Sequence, residues 1–122
     1  MSKKHPFVLL ALTMMLGASP AWSHALLEKA SPPVGGSVMG SPKEIRLEFS
    51  EGVEPKFSSI ELAAEDGVPI ELGRAASAAD SASVLVSKMS RTLKPGKYRV
   101  TWHAVSVDTH RTQGSFQFTV SP

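Results

Sequence analysis

The amino-acid sequence predicts an all-β domain, a two-sheet sandwich of about seven short strands. In Glu44-Ile45-Arg46-Leu47-Glu48-Phe49 and again from Tyr98 to Ala104, apolar residues alternate with charged or polar ones. A period of two sends successive side chains to opposite faces of an extended strand, so one face meets a core and the other meets water. Turn residues interrupt these runs at short intervals, Asp66-Gly67 and Lys94-Pro95-Gly96 being the plainest. Six or seven short strands punctuated in this way within about 100 residues fit a sandwich.

Taken in order, residues 44–49 place Ile45, Leu47 and Phe49 inward. Ile60 and Leu62 continue the rhythm, and so do Val68, Ile70 and Leu72 beyond the Asp66-Gly67 turn. Residues 83–89 form an apolar, β-branched run whose facing the pattern leaves open. Lys94-Pro95-Gly96 makes a turn because proline fixes φ and glycine accepts positive φ. Tyr98, Val100, Trp102 and Ala104 then share one face, with Lys97, Arg99, Thr101 and His103 on the other; Phe116, Phe118 and Val120 supply the last inward row. Ser31-Pro32-Pro33-Val34-Gly35-Gly36-Ser37 breaks the alternation as a loop, since proline cannot donate to a ladder. Ala75-Ala76-Ser77-Ala78-Ala79-Asp80, small and polar, fits a short helix or a loose connection. The chain shows no internal repeat, linker or second domain.

The first 23 residues are expected to be a cleaved signal peptide. Lys3 and Lys4 form a basic start, Phe7 to Ala18 an apolar run, Pro20 a break, and Ala21-Trp22-Ser23 offers small residues at −3 and −1. The apolar run is too short for a membrane anchor, since spanning takes about 17–25 residues. The basic pair is Lys-Lys and not twin arginine, so the chain is expected to cross unfolded and to acquire any metal outside. Cleavage after Ser23 leaves residues 24–122, with His24 first and the periplasm as the destination. Cleavage after Ala21 is the chemical alternative and would place His24 third.

Composition narrows the function. The whole chain of 122 residues carries a formal net charge of +2. Residues 24–122 hold 11 Lys and Arg against 11 Asp and Glu, a balance that gives no support for nucleic acid as a partner. With no cysteine, disulfides, thiolate metal sites and cysteine nucleophiles are excluded. Beyond the leader the histidines are His24, His103 and His110. As residue one, His24 would offer both an α-amine and an imidazole to a metal. Asp108 and His110 are spaced i and i+2, which in an extended segment points both side chains the same way. Three nitrogens and one oxygen suit Cu(II) or Ni(II), and Cu(II) heads the affinity series. His103 falls on the polar face and is expected to be an exposed strand residue.

Several segments carry a resemblance: His24 before a leucine-containing strand, Ser31-Pro32-Pro33, Leu47-Glu48-Phe49-Ser50-Glu51, Tyr98-Arg99-Val100-Thr101-Trp102, Val105-Ser106-Val107-Asp108-Thr109-His110 and Gly114-Ser115-Phe116. In order and spacing this chain resembles the CopC family of periplasmic copper-resistance proteins across residues 24–122. The resemblance implies a Greek-key, cupredoxin- or immunoglobulin-like β-sandwich that binds one Cu(II) per chain and is not an enzyme. It matches the ligands to His24, Asp108 and His110, and a glutamate near the centre in some members to Glu51, which ranks below those three. It also implies a membrane partner such as a CopD-like inner-membrane copper permease, or a multicopper oxidase. Some members hold Cu(I) in a methionine-rich loop; here residues 65–82 contain no methionine, so no such site is expected. Met39 and Met89 lie singly and are expected to be packing residues. Two readings stand against the copper carrier: an N-terminal-His copper monooxygenase or oxidase, and an exported interaction module without metal.

Overall fold

The structure, a computed structural model, describes residues 25–122; the expected signal peptide and His24 lie outside the described residues. Nine strands follow in chain order: β1 Leu27–Ser31, β2 Ser37–Met39, β3 Glu44–Phe49, β4 Ser59–Ala64, β5 Pro69–Ile70, β6 Ala76–Ala78, β7 Ser81–Lys88, β8 Gly96–Val105 and β9 Arg111–Ser121. One 3-10 turn, Pro55–Phe57, precedes β4. The strands form a Greek-key sandwich of two sheets, ordered β1-β3-β7-β6 and β2-β9-β8-β4-β5. Three of the nine, β2, β5 and β6, are only two or three residues long.

The predicted alternation sets the core. Ile45 and Leu47 of β3 lie opposite Ser87 and Leu85 of β7, and all four are fully buried. Val100, Phe118 and Val120 line the facing sheet and are nearly inaccessible. Removing a side chain of this size from water contributes roughly 1.5–3 kcal/mol. The Phe49 and Trp102 rings meet edge to face with centroids 5.2 Å apart, joining the two sheets. A Cβ on Gly114 would come within 2.7 Å of the Trp102 ring, so glycine at this strand position is what admits the indole. His103 is exposed, as the polar face of β8 requires.

Four local expectations need correction. Residues 75–80 hold no helix: β6 pairs with β7 there, because backbone groups at a sheet edge can pair whatever small side chains they carry. Val68 points outward, 52% exposed, because it closes the Asp66-Gly67 turn; Ile70 is buried, and Leu72 is half-buried in a bridge to Met89. Met39 is no packing residue: at the end of β2 it is 89% exposed, whereas Met89 does pack against the core. Finally, Ser37 belongs to β2 and not to the proline loop, since β2 pairs parallel with β9 through Ser37↔Thr119.

Candidate metal centre

Residues 106–110 join β8 to β9 in a tight five-residue turn. The Ser106 amide donates to the His110 carbonyl at 2.9 Å, and the Thr109 amide donates to the Ser106 carbonyl at 2.9 Å. Closing it requires a left-handed residue, and Thr109 takes that conformation with φ of 74°. A β-branched residue reaches it only under strain. The turn also grips the connection between β3 and the 3-10 turn: Val53 bridges Ser106, and the Val107 amide donates to the Gly52 carbonyl at 3.0 Å.

This turn brings Asp108 and His110 together. Asp108 Oδ2 lies 3.0 Å from His110 Nδ1, with both side chains a little over one-third exposed. The expected pair is therefore adjacent, though for a different reason: the segment is not extended, and the left-handed Thr109 folds His110 back toward Asp108. The other oxygen, Oδ1, accepts from the Ser106 hydroxyl and, at 3.3 Å, from the His110 amide. The Ser106 hydroxyl and then the His110 side chain hold the Asp108 carboxyl at about 2, well below its ordinary 3.8. The carboxylate is thus charged at any physiological pH, with one oxygen tied to the turn and the other directed at an imidazole nitrogen.

His24 itself is outside the described residues, but its neighbour is fixed. Ala25 is completely buried, and its carbonyl accepts from Thr112 Oγ1 at 2.9 Å, two residues beyond His110. The Leu26 amide donates to Ser50 Oγ at 2.9 Å, and the Ser50 amide donates back to the Leu26 carbonyl at 2.8 Å. Residues 25 and 26 therefore fill the seam between the end of β3 and the start of β9.

Glu51 follows Ser50 in that seam. Its Oε1 is buried and has no hydrogen-bond partner among the described residues. Even so, no group of three His, Asp or Glu side chains able to hold a metal occurs among the described residues, so Glu51 does not complete a set with Asp108 and His110. The residues that shape the site beyond those expected are Ser106, Thr109 and Thr112. Their roles rest on backbone conformation and hydroxyl partners, which no spacing rule exposes, although Ser106 lies inside the Val-Ser-x-Asp-x-His segment.

Comparison with known proteins shows the family and the fold of the chain. The family model for the CopC domain matches residues 27–121. The chain is 36% identical over 114 residues to Protein YobA of Escherichia coli (strain K12), covering 93% of this chain and 92% of that protein. Among solved structures, CopC from Methylosinus trichosporium OB3b superimposes with a TM-score of 0.76 at 36% identity, covering 81% of this chain and 95% of the other. PcoC, a methionine-rich copper resistance protein from Escherichia coli, superimposes with a TM-score of 0.74 at 34% identity, covering 81% of this chain and 100% of the other. By family model, sequence and fold together, the chain belongs to the CopC family.

Proposed function

We propose that this chain is a periplasmic Cu(II)-binding protein, a copper carrier or buffer without catalytic activity. Cleavage after Ser23 makes His24 the first residue, and one Cu(II) is held by its α-amine and imidazole together with Asp108 and His110. The observation that carries this reading is the Asp108–His110 pair, 3.0 Å apart. Two donors bound at right angles about 2.0 Å from one ion lie about 2.8 Å apart, close to that separation. Ala25, pinned by Thr112 beside the same turn, supports a place for His24 at the pair, since consecutive Cα atoms are about 3.8 Å apart. Glu51 stands behind these ligands as a further carboxylate in the seam. That PcoC is a copper resistance protein agrees with copper as the cargo.

Nitrogen and carboxylate donors favour Cu(II), whereas thioethers favour Cu(I). Residues 65–82 contain no methionine, and Met39 and Met89 are isolated, so Cu(I) is bound poorly. A CopD-like permease or a multicopper oxidase is the natural exchange partner for such a carrier.

Intact mass and Cu(II) titration of the protein exported from its own signal test the assignment. The expected result is a mass beginning at His24, one Cu(II) per chain, and loss of affinity when one residue is added before His24. A mass beginning at Trp22 would overturn it, because histidine in third place recruits backbone amides and leaves Asp108 and His110 unused. Copper-dependent turnover of an oxidisable substrate would favour the monooxygenase reading, and absence of copper binding the interaction module.

A further inference from the structure

We propose that Ser106 is a positioning residue for the metal centre: its buried hydroxyl holds Asp108 so that the carboxylate presents a single oxygen beside His110. This rests on the Cu(II) assignment above and adds to it a residue that binds no metal.

Ser106 and Ser87 are the fully buried polar residues among those described. A buried hydroxyl is costly unless it is hydrogen-bonded. That of Ser87 has no partner among the described residues, while that of Ser106 donates to Asp108 Oδ1 and lies 3.2 Å from the His110 carbonyl. One hydroxyl has one proton, and a carboxylate is the stronger acceptor. Oδ1 is thereby occupied, and Oδ2 is left facing Nδ1.

The turn itself does not need the hydroxyl. Residues 64–68 form the same pattern: the Ala64 amide donates to the Val68 carbonyl at 2.9 Å, the Gly67 amide donates to the Ala64 carbonyl at 2.9 Å, and Asp66 Oδ1 accepts from the Val68 amide at 3.0 Å. There the position of Ser106 is taken by alanine. A serine at this place is thus dispensable for the backbone, and its hydroxyl acts on the carboxylate. Without it, Oδ1 keeps the His110 amide at 3.3 Å, and the carboxylate is held less firmly beside the imidazole.

The test is Cu(II) affinity of the exported, processed protein against a competing chelator, together with the electron paramagnetic resonance spectrum of the Cu(II) form. Ser106→Ala is expected to weaken binding about 10–100-fold, the usual cost of losing an outer-shell partner, and to shift the spectrum while the apo circular dichroism stays unchanged. Ser106→Thr, which keeps the hydroxyl, should restore the wild-type spectrum. In an Asp108→Ala background, which removes the acceptor, Ser106→Ala should cost no further affinity. Wild-type affinity and spectrum in Ser106→Ala would overturn the proposal, and so would an equal loss in the Asp108→Ala background, which marks a merely structural role. If Ser106→Ala does not fold, Ser106→Gly is read by the same spectrum with the same two outcomes. His110→Ala separates the two levels: if it binds Cu(II) as wild type does, the site assignment falls and this proposal with it; if it is impaired while Ser106→Ala is normal, only the role of Ser106 falls.

Discussion

Two turns of this molecule share one backbone and differ in four side chains. Ala64-Glu65-Asp66-Gly67-Val68 joins β4 to β5, and Ser106-Val107-Asp108-Thr109-His110 joins β8 to β9. In both, the first amide donates to the fifth carbonyl, the fourth amide donates to the first carbonyl, the third residue is an aspartate accepting from the fifth amide, and the fourth residue is left-handed, with φ of 85° at Gly67 and 74° at Thr109. Alanine becomes serine, glutamate becomes valine, glycine becomes threonine and valine becomes histidine. The β4–β5 turn only reverses the chain. Its counterpart has a hydroxyl to aim the carboxylate, an imidazole beside it, and a strained residue in place of the one that fits best. Chemistry has been added to a common turn at a cost in local backbone energy.

The sharpest break of this comparison is at the fifth position. His110→Ala should lower Cu(II) affinity by more than the roughly 10–100-fold typical of an outer-shell change, since the proposed site then loses a nitrogen donor. Asp108→Asn should lower it less but alter the paramagnetic spectrum. Both variants should still fold without copper, because neither side chain packs in the core; Asp108→Asn gives up only the stabilisation of the charged carboxylate. Chelator competition and apo thermal melts check both statements, and an unfolded apo His110→Ala would mark a structural residue.

Acid resolves the two functions of the loop. The Asp108 carboxyl lies at about 2 in the fold and at an ordinary 3.8 otherwise, so the unfolded chain takes up its proton first as pH falls. The stabilisation from this group is therefore complete above about pH 4–5 and disappears as pH falls from about 4 toward about 2. Melting the apo protein across that range should show wild type converging on Asp108→Asn below about pH 4 and keeping a constant gap above it. Copper should leave at far higher pH, because an amine and imidazole nitrogens must lose their protons before they bind a metal. A flat Cu(II) affinity between neutral and mildly acidic pH would contradict the amine-plus-imidazole site.

The smallest effect lies at the fourth position. Left-handed conformation costs a non-glycine residue about 1–2 kcal/mol, while glycine loses about 0.5–1 kcal/mol more chain entropy on folding. Thr109→Gly should thus stabilise the apo protein by about 0.5–1 kcal/mol, and Gly67→Thr should destabilise it by a similar amount. Denaturant melts of the two variants measure whether strain is confined to the metal loop.

Much of this was legible in the sequence because burial follows alternation. Tyr98, Val100, Trp102 and Ala104 face the core as their spacing says, and Asp108 with His110 stood out as an acid and an imidazole two residues apart. What escaped depends on partners far away in the chain or on backbone conformation. The three residues of β2 are placed by β9, and β6 by β7; neither carries an apolar period of its own. Thr109 was not legible as left-handed because its residue type argues against it. The link from Ser106 to Asp108 escaped because a hydroxyl's partner is decided in three dimensions.

The seam at Ala25 has a topological consequence. Leu26 is tied to Ser50 at the end of β3 in one sheet, and Ala25 to Thr112 at the start of β9 in the other. A copper ion shared by His24 and His110 would close nearly the whole domain into a single ring, a cross-link between its two sheets. This chain has no cysteine with which to form one covalently. Restricting so long a loop narrows the unfolded ensemble as a disulfide does, so the cargo would also act as a removable staple, with loading and mechanical resilience rising and falling together.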